Sequence, residues 1–392
     1  MLTATKPYSL ATNLSCSNCK KEYALREING YATCCNQPLV VDYDLYKGFS
    51  KSGIKSNQNN MWRYAPLLPV LKPENIVSLG EGMTPILPLH KLADKAGFAE
   101  LLMKDESFNP TGSFKARGIS AAISKAKEAG ITQCIIPTAG NAGGALAAYC
   151  AKAGIACTVV MPRHTPAIFK QECELYGAEL ILVDGLISDC AKKCAALNKD
   201  NVYFDMSTLK EPYRLEGKKT MGYEIAEQMN WQLPDVIIYP AGGGTGLIGI
   251  WKAFQEMLSL GWITGPLPRM IAVQAENCAP ILHALKDRVN WKTDFFPKAT
   301  LANGLAVPYP FGMDMMLRVL DESGGTAITV GDADIIAAVK EIAKTEGLII
   351  SPEGAATWKA LVQLNKQKII SGGEKILLLN TGSGYKYLEN II

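Results

Sequence analysis

The sequence predicts an α/β protein: parallel sheets covered by helices, preceded by a small cysteine-bearing β module. Three observations carry this. From residue 101 onward, short apolar runs alternate with helical stretches, as a parallel sheet under helices requires. Glycine-bearing stretches follow directly on three of those runs. The first 48 residues read differently and hold two cysteine pairs. At 392 residues, 48% hydrophobic and 20% charged, the chain is globular and long enough for more than one domain. A net charge of +3, with no basic run, argues against nucleic acid as a partner. No apolar stretch reaches membrane-spanning length, and residues 1–15 lack the apolar core of a signal peptide. There are 11 cysteines, and most, such as Cys134, Cys150 and Cys157, lie in apolar runs as buried reduced thiols. That usage predicts a reducing compartment, the cytoplasm.

In chain order, residues 1–48 form the N-terminal module. Cys16 and Cys19 are spaced as Cys-x-x-Cys, Cys34 and Cys35 are adjacent, and Tyr23, Tyr31 and Tyr43 lie close by. Four thiolates hold zinc tetrahedrally, but adjacent cysteines chelate one ion poorly. A zinc ribbon and a β-ribbon without metal therefore both stand. Residues 49–75 read as a linker, since the stretch 47–62 is polar and rich in Ser and Asn. Strands are expected at 134–136, 157–161, 179–183, 202–204, 236–239, 270–273, 327–330 and 376–379, most of them bounded by Gly, Pro or Asp. Ligands of such sheets bind beyond the carboxyl ends of the strands.

The stretch 104–118 holds the first chemical signal. A turn-rich run ending in Ser113, a good N-cap type, opens onto a helix with Lys115 in its first turn. A lysine is electrostatically disfavoured there, so it either reaches solvent or is used as a nucleophile of lowered pKa. Gly242, Gly243, Gly244, Thr245 and Gly246 follow a strand and open a helix, which reads as an anion cradle or as a tight turn. Asn141 stands at another helix start as a cap candidate, Thr381 follows the last strand, and Arg214 opens a further helix. Ser351, Pro352 and Glu353 read as N-cap, N1 and N2, with capping favoured over an active-site role for Glu353. His90, His164 and His283 fit no metal spacing and no triad.

The run Asn109-Pro-Thr-Gly-Ser-Phe-Lys115-Ala-Arg-Gly118 resembles the lysine loop of the fold type II pyridoxal-phosphate enzymes. Matches in the same order follow at 137–143, 240–246 and 380–384, and four in order are specific where one would be weak. Within that family the segments 79–85 and 211–220 look most like the threonine synthases. The resemblance covers roughly residues 76–392 and implies a catalytic region of two parallel-sheet αβα domains with the cofactor between them. The smaller domain, about 114–213, would be inserted in the larger. It implies pyridoxal 5'-phosphate on Lys115, with Asn141, the 242–246 loop and Thr381 as its other ligands. Thr84, Thr138 and Arg214 would meet the substrate. The implied reaction converts O-phospho-L-homoserine and water to L-threonine and phosphate, in a homodimer acting on a small amino acid. A serine/threonine dehydratase, a β-replacement enzyme such as cysteate synthase, and a cofactor-free binding module are the alternatives. Relatives usually carry Ser-Thr-Gly-Asn-Thr where this chain has Thr-Ala-Gly-Asn-Ala, and Asn-Ser-x-Asn-Pro where it has Thr-Leu-Lys-Glu-Pro212.

Overall fold

The cysteine-bearing segment folds as a three-stranded antiparallel sheet. A computed structural model describes residues 7–27 and 30–391. In it β1 (Ala11–Cys16) lies between β2 (Glu22–Ala24) and β3 (Leu39–Tyr43). Leu14, Leu39 and Val41 are buried under this sheet. Tyr43 anchors it: its hydroxyl donates to Glu216 Oε2 at 2.8 Å, and Lys219 Nζ lies 3.7 Å from its ring centre. The stretch after the module is not uniformly polar in its surroundings. Met61, Trp62, Ala65, Leu68 and Val70 form a buried cluster with Ala121 of the helix Lys115–Glu128.

Two short strands, β4 (Ile86–Pro88) and β5 (Glu100–Asp105), come next and pair antiparallel. The chain then builds an all-parallel four-stranded sheet from β6 (Gln133–Pro137), β7 (Ala156–Pro162), β8 (Glu179–Val183) and β9 (Phe204–Asp205), in the order β8-β7-β6-β9. It returns through β10 (Val236–Pro240), β11 (Arg269–Ala275), β12 (Thr326–Val330) and β13 (Lys375–Asn380). These join the earlier pair in a six-stranded sheet ordered β12-β11-β10-β13-β5-β4, parallel except for β4. Each apolar run expected as a strand overlaps one of β6–β13. Strand β10 is buried at every residue, as a central parallel strand covered on both faces must be. By contrast β5 ends in two buried charged residues, Lys104 and Asp105, so it does not read as an apolar run.

The chain divides into two compact units. One takes the segments up to Met83, Lys115–Thr220 and Gln255–Trp262, and holds the cysteine module and the four-stranded sheet. The other takes Thr84–Phe114, Met221–Phe254 and the segment from Ile263 onward, and holds the six-stranded sheet.

Candidate active site

In the six-stranded sheet the order β10-β13-β5 places three loops side by side at the carboxyl edge. Chain order runs outward through β10, β11 and β12, while β13 returns beside β10. A break of this kind is where parallel sheets bind ligands. The loop after β10 is the glycine stretch. Gly244 has φ 79°, and a Cβ there would lie 2.1 Å from Met316 Sδ. A Cβ on Gly242 would lie 2.1 Å from the Gly304 carbonyl oxygen, so only glycine lets this backbone pass. The helix Thr245–Ser259 starts on that loop, and its first internal bond runs from Ile248 N–H to the Gly244 carbonyl. The N–H of Gly246 donates to the Tyr239 hydroxyl, and burial, together with Glu106 nearby, pushes that phenol upward. Glu353 supports the loop from behind: its Oε1 accepts the Gly304 N–H at 2.8 Å and faces the Tyr387 hydroxyl at 3.3 Å. Ser351 does cap its helix, accepting from Gly354 N–H at 3.1 Å.

Thr381 opens the loop after β13, and its carbonyl accepts the Phe114 N–H at 3.1 Å. Ser113 forms a bridge with Gly382, and Lys115 follows two residues on in the chain. The expected Ser113 cap is not made. The helix begins at Lys115, Ser113 is extended (φ -161°, ψ 158°), and its buried hydroxyl has no hydrogen bond. Strand pairing with Gly382 has taken the residue away from the cap position. Thr84 is fixed by its neighbours: its hydroxyl donates to Glu106 Oε1 at 2.6 Å and its carbonyl accepts Lys104 Nζ at 2.7 Å. Glu106, fully buried, also accepts Asn109 Nδ2 at 2.8 Å.

The other unit carries Lys115, Thr138, Asn141 and Arg214. Thr138 and Asn141 lie on the turn after β6, where Gly140 occupies the cap position and Asn141 is the first helical residue. Arg214 lies in the helix Tyr213–Gln228, which starts beyond β9, the strand beside β6. The two helices that start at Lys115 and Tyr213 touch backbone to backbone. A Cβ on Gly217 would fall 2.0 Å from the Arg117 carbonyl oxygen, and one on Gly118 2.7 Å from that of Arg214. Arg214 is 1% exposed; its Nη1 donates to the Met206 carbonyl, and its Nε lies 3.9 Å from Glu211 Oε1, too far to hydrogen-bond. Glu211 Oε2 caps the helix, accepting from Tyr213 and Arg214 N–H at 2.8 and 2.9 Å. Its Oε1 has no hydrogen bond, and burial pushes this carboxyl up to about 8 against the pull of Arg214.

The sequence profile of the family described as pyridoxal-phosphate dependent enzyme matches residues 77–382. The chain belongs to that family. It is 34% identical to the threonine synthase of Methanocaldococcus jannaschii over 374 residues, 95% of this chain and 92% of that protein. It is also 34% identical to the threonine synthase of Methanosarcina acetivorans over 382 residues, 97% and 93% of the two chains. Among solved structures, a T.th. threonine deaminase superposes with a TM-score of 0.64 at 22% identity, over 76% of this chain and 92% of that one, which shows a shared fold. The chain is thus a fold type II, pyridoxal-phosphate-dependent lyase. Its residues fit the cofactor: a loop that only glycine can thread, at a helix start, suits a phosphate monoester. No helix among the described residues is long and apolar enough to cross a membrane. The sequence reading did not single out Glu106, Tyr239 or Glu211 as parts of the site's framework, because a carboxyl or phenol packed inside a fold leaves no periodic mark.

Proposed function

We propose that the chain is a threonine synthase, converting O-phospho-L-homoserine and water to L-threonine and phosphate. The observation that supports it most is the contact at Gly118 and Gly217, which sets buried Arg214 against the first turn of the helix that begins with Lys115. Lys115 holds the cofactor, and its Nζ then takes and returns protons at Cα, Cβ and Cγ of the substrate. The 242–246 loop would cradle the cofactor phosphate, and Asn141 would hydrogen-bond the ring hydroxyl. When bound, the cofactor supplies an electron sink for charge developing beside the amino group. Thr381 would offer the ring nitrogen a neutral hydroxyl rather than a carboxylate, which would keep that sink weak and suit elimination and replacement over transamination. Thr138 and the amides beside it orient the substrate carboxylate. Arg214 binds the phosphate that departs from Cγ, a task suited to a guanidinium's paired donors. Water then adds at Cβ.

Incubation of the purified enzyme with O-phosphohomoserine, reading phosphate and threonine together, tests this. Equal amounts of both are expected. A 2-oxo acid from serine or threonine, with no phosphate release from O-phosphohomoserine, would make it a dehydratase instead.

The cysteine module supports a second reading. The sulfurs of Cys16, Cys19, Cys34 and Cys35 all lie within 4.8 Å of one another. Around one zinc, thiolate sulfurs stand about 3.8 Å apart for Zn–S bonds of about 2.3 Å. The residues after each pair, Lys20 (φ 63°) and Asn36 (φ 51°), turn the chain back in the left-handed region. This cluster holds one structural zinc. Elemental analysis should find one zinc per chain, absent from Cys16→Ser; a stable, metal-free wild type would show a ribbon without metal.

A further inference from the structure

The segment 79–85 carries a buried carboxylate that the proposed reaction does not use. Glu81 is fully buried between Gly80 (φ 93°) and Gly82 (φ 104°), whose left-handed backbone turns the chain on both sides of it. Its two oxygens take four donors. Oε1 accepts Trp62 Nε1 at 2.9 Å and the Ser120 hydroxyl at 2.6 Å, while Oε2 accepts the Leu79 N–H at 2.9 Å and the Tyr149 hydroxyl at 2.5 Å. Ser120 and Tyr149 are themselves fully buried. Burial, with Glu81 beside it, pushes the Tyr149 phenol upward, so Tyr149 keeps the proton that it donates. Ser120 lies in the helix Lys115–Glu128, about one and a half turns past Lys115. Tyr149 lies in the helix Asn141–Ala153, about two turns past Asn141. The two helices pack on each other. The same stretch of chain grips the first helix once more, where the Val77 N–H donates to the Ser124 hydroxyl at 2.8 Å. One carboxylate thus joins the helix of the proposed cofactor lysine to the helix of the residue proposed to meet the cofactor ring, within one compact unit.

We propose that Glu81 is a positioning residue for the cofactor site: by binding Ser120 and Tyr149 at once, it fixes the spacing between Lys115 and Asn141. This rests on the reading that Lys115 holds the cofactor, and adds a residue to it. A buried network whose members are satisfied rigidifies the elements it joins. Glutamine in place of Glu81 would turn one acceptor into an N–H donor that faces another donor. Either the helices shift or a buried donor loses its bond. A displacement of about 1 Å at reacting groups can cost on the order of a hundredfold in rate.

The test compares holoenzyme of wild type, Glu81→Gln, Glu81→Asp and Tyr149→Phe, each well below its own thermal midpoint and with rates expressed per bound cofactor. In Glu81→Gln, kcat on O-phosphohomoserine should fall about tenfold or more, with KM changing less. The visible band of the bound cofactor should also shift in position or in its pH midpoint, a readout that holds whichever amino acid the enzyme turns over. Tyr149→Phe removes one donor and should move kcat and the band the same way by a smaller amount. Glu81→Asp keeps both acceptor oxygens and should lie between wild type and Glu81→Gln. Should Glu81→Gln fail to fold, the other two variants decide by the same measures. Variants that lose stability while kcat and the band remain those of wild type would reduce Glu81 to a packing role and overturn the proposal. Borohydride trapping separates the two readings. With the adduct on Lys115 and the variants unaltered, the cofactor assignment stands and the positioning role falls; an adduct on another lysine removes both.

Discussion

The unit that starts at Thr84 buries Lys104 against Glu224 at 2.9 Å, the Thr84 carbonyl and Gln228, and ties Glu106 to Thr84 and Asn109. In the unit that carries Lys115, the buried charges around Arg214 include a carboxyl oxygen and a guanidinium nitrogen that make no hydrogen bond. Closed polar sets rigidify a fold because each donor and acceptor is satisfied whether or not a ligand is present. A buried polar atom left without a hydrogen bond costs stability until some group meets it. Lys104 and Glu106 are thus held by bonded partners, whereas Glu211 and Arg214 each keep a buried polar atom that no hydrogen bond satisfies. Substitutions in the two regions should then differ in kind, and the largest effects belong to groups that meet the ligand.

Lys115→Ala removes the nitrogen proposed to hold the cofactor. Turnover should fall below detection while the fold survives, since alanine is at ease at a helix start. Borohydride treatment of wild type followed by peptide mass spectrometry should place the cofactor on Lys115; an adduct on another lysine refutes the assignment. Arg214→Ala comes next. Losing a buried, charge-assisted contact to a phosphate costs roughly 2–5 kcal/mol, read as kcat/KM on O-phosphohomoserine. An unchanged value would mean that the guanidinium serves only the Met206 carbonyl and Glu211.

Gly217→Ala tests the close approach of the two helices. The added methyl would lie 2.0 Å from the Arg117 carbonyl oxygen, a backbone atom that cannot swing aside. Helix propensity alone would favour alanine by about 1 kcal/mol, yet the overlap should dominate and lower stability by about 1–3 kcal/mol in denaturant unfolding. A variant as stable as wild type, with normal activity, would show that the helices part without cost.

These particulars mark what the sequence could and could not carry. Strands β6 to β13 were legible because a parallel strand covered on both faces must be apolar along its length. The glycine loop was legible because close backbone approach leaves one residue type. Strand β5 was not, since Lys104 and Asp105 look like solvent-facing residues until Glu224, 120 positions away, supplies the buried partner. Ser113 looked like a cap, and the competing bridge to Gly382 lies far along the chain. The convergence of the sulfurs of Cys16, Cys19, Cys34 and Cys35 is a property of the folded ribbon, which composition does not announce. Arg214 was found by motif, but its burial beside Glu211 and the Met206 carbonyl appears only in the fold.

The last prediction concerns the carboxyl beside Arg214. Glu211 has a folded-state pKa of about 8 against an ordinary value of 4.5, raised chiefly by burial. The folded protein therefore binds a proton at Glu211 over a range where the unfolded chain has released it. Stability from this group is full below about pH 4.5 and is lost as pH rises through about 8. Glu211→Gln keeps an oxygen that can accept the Tyr213 and Arg214 N–H groups but cannot ionise. Near pH 5 the two proteins should be close in stability. By pH 9 the variant should be ahead, a difference read from urea unfolding at each pH. Should wild type instead gain on the variant as pH rises, Glu211 is ionised and paired with Arg214 in the folded state.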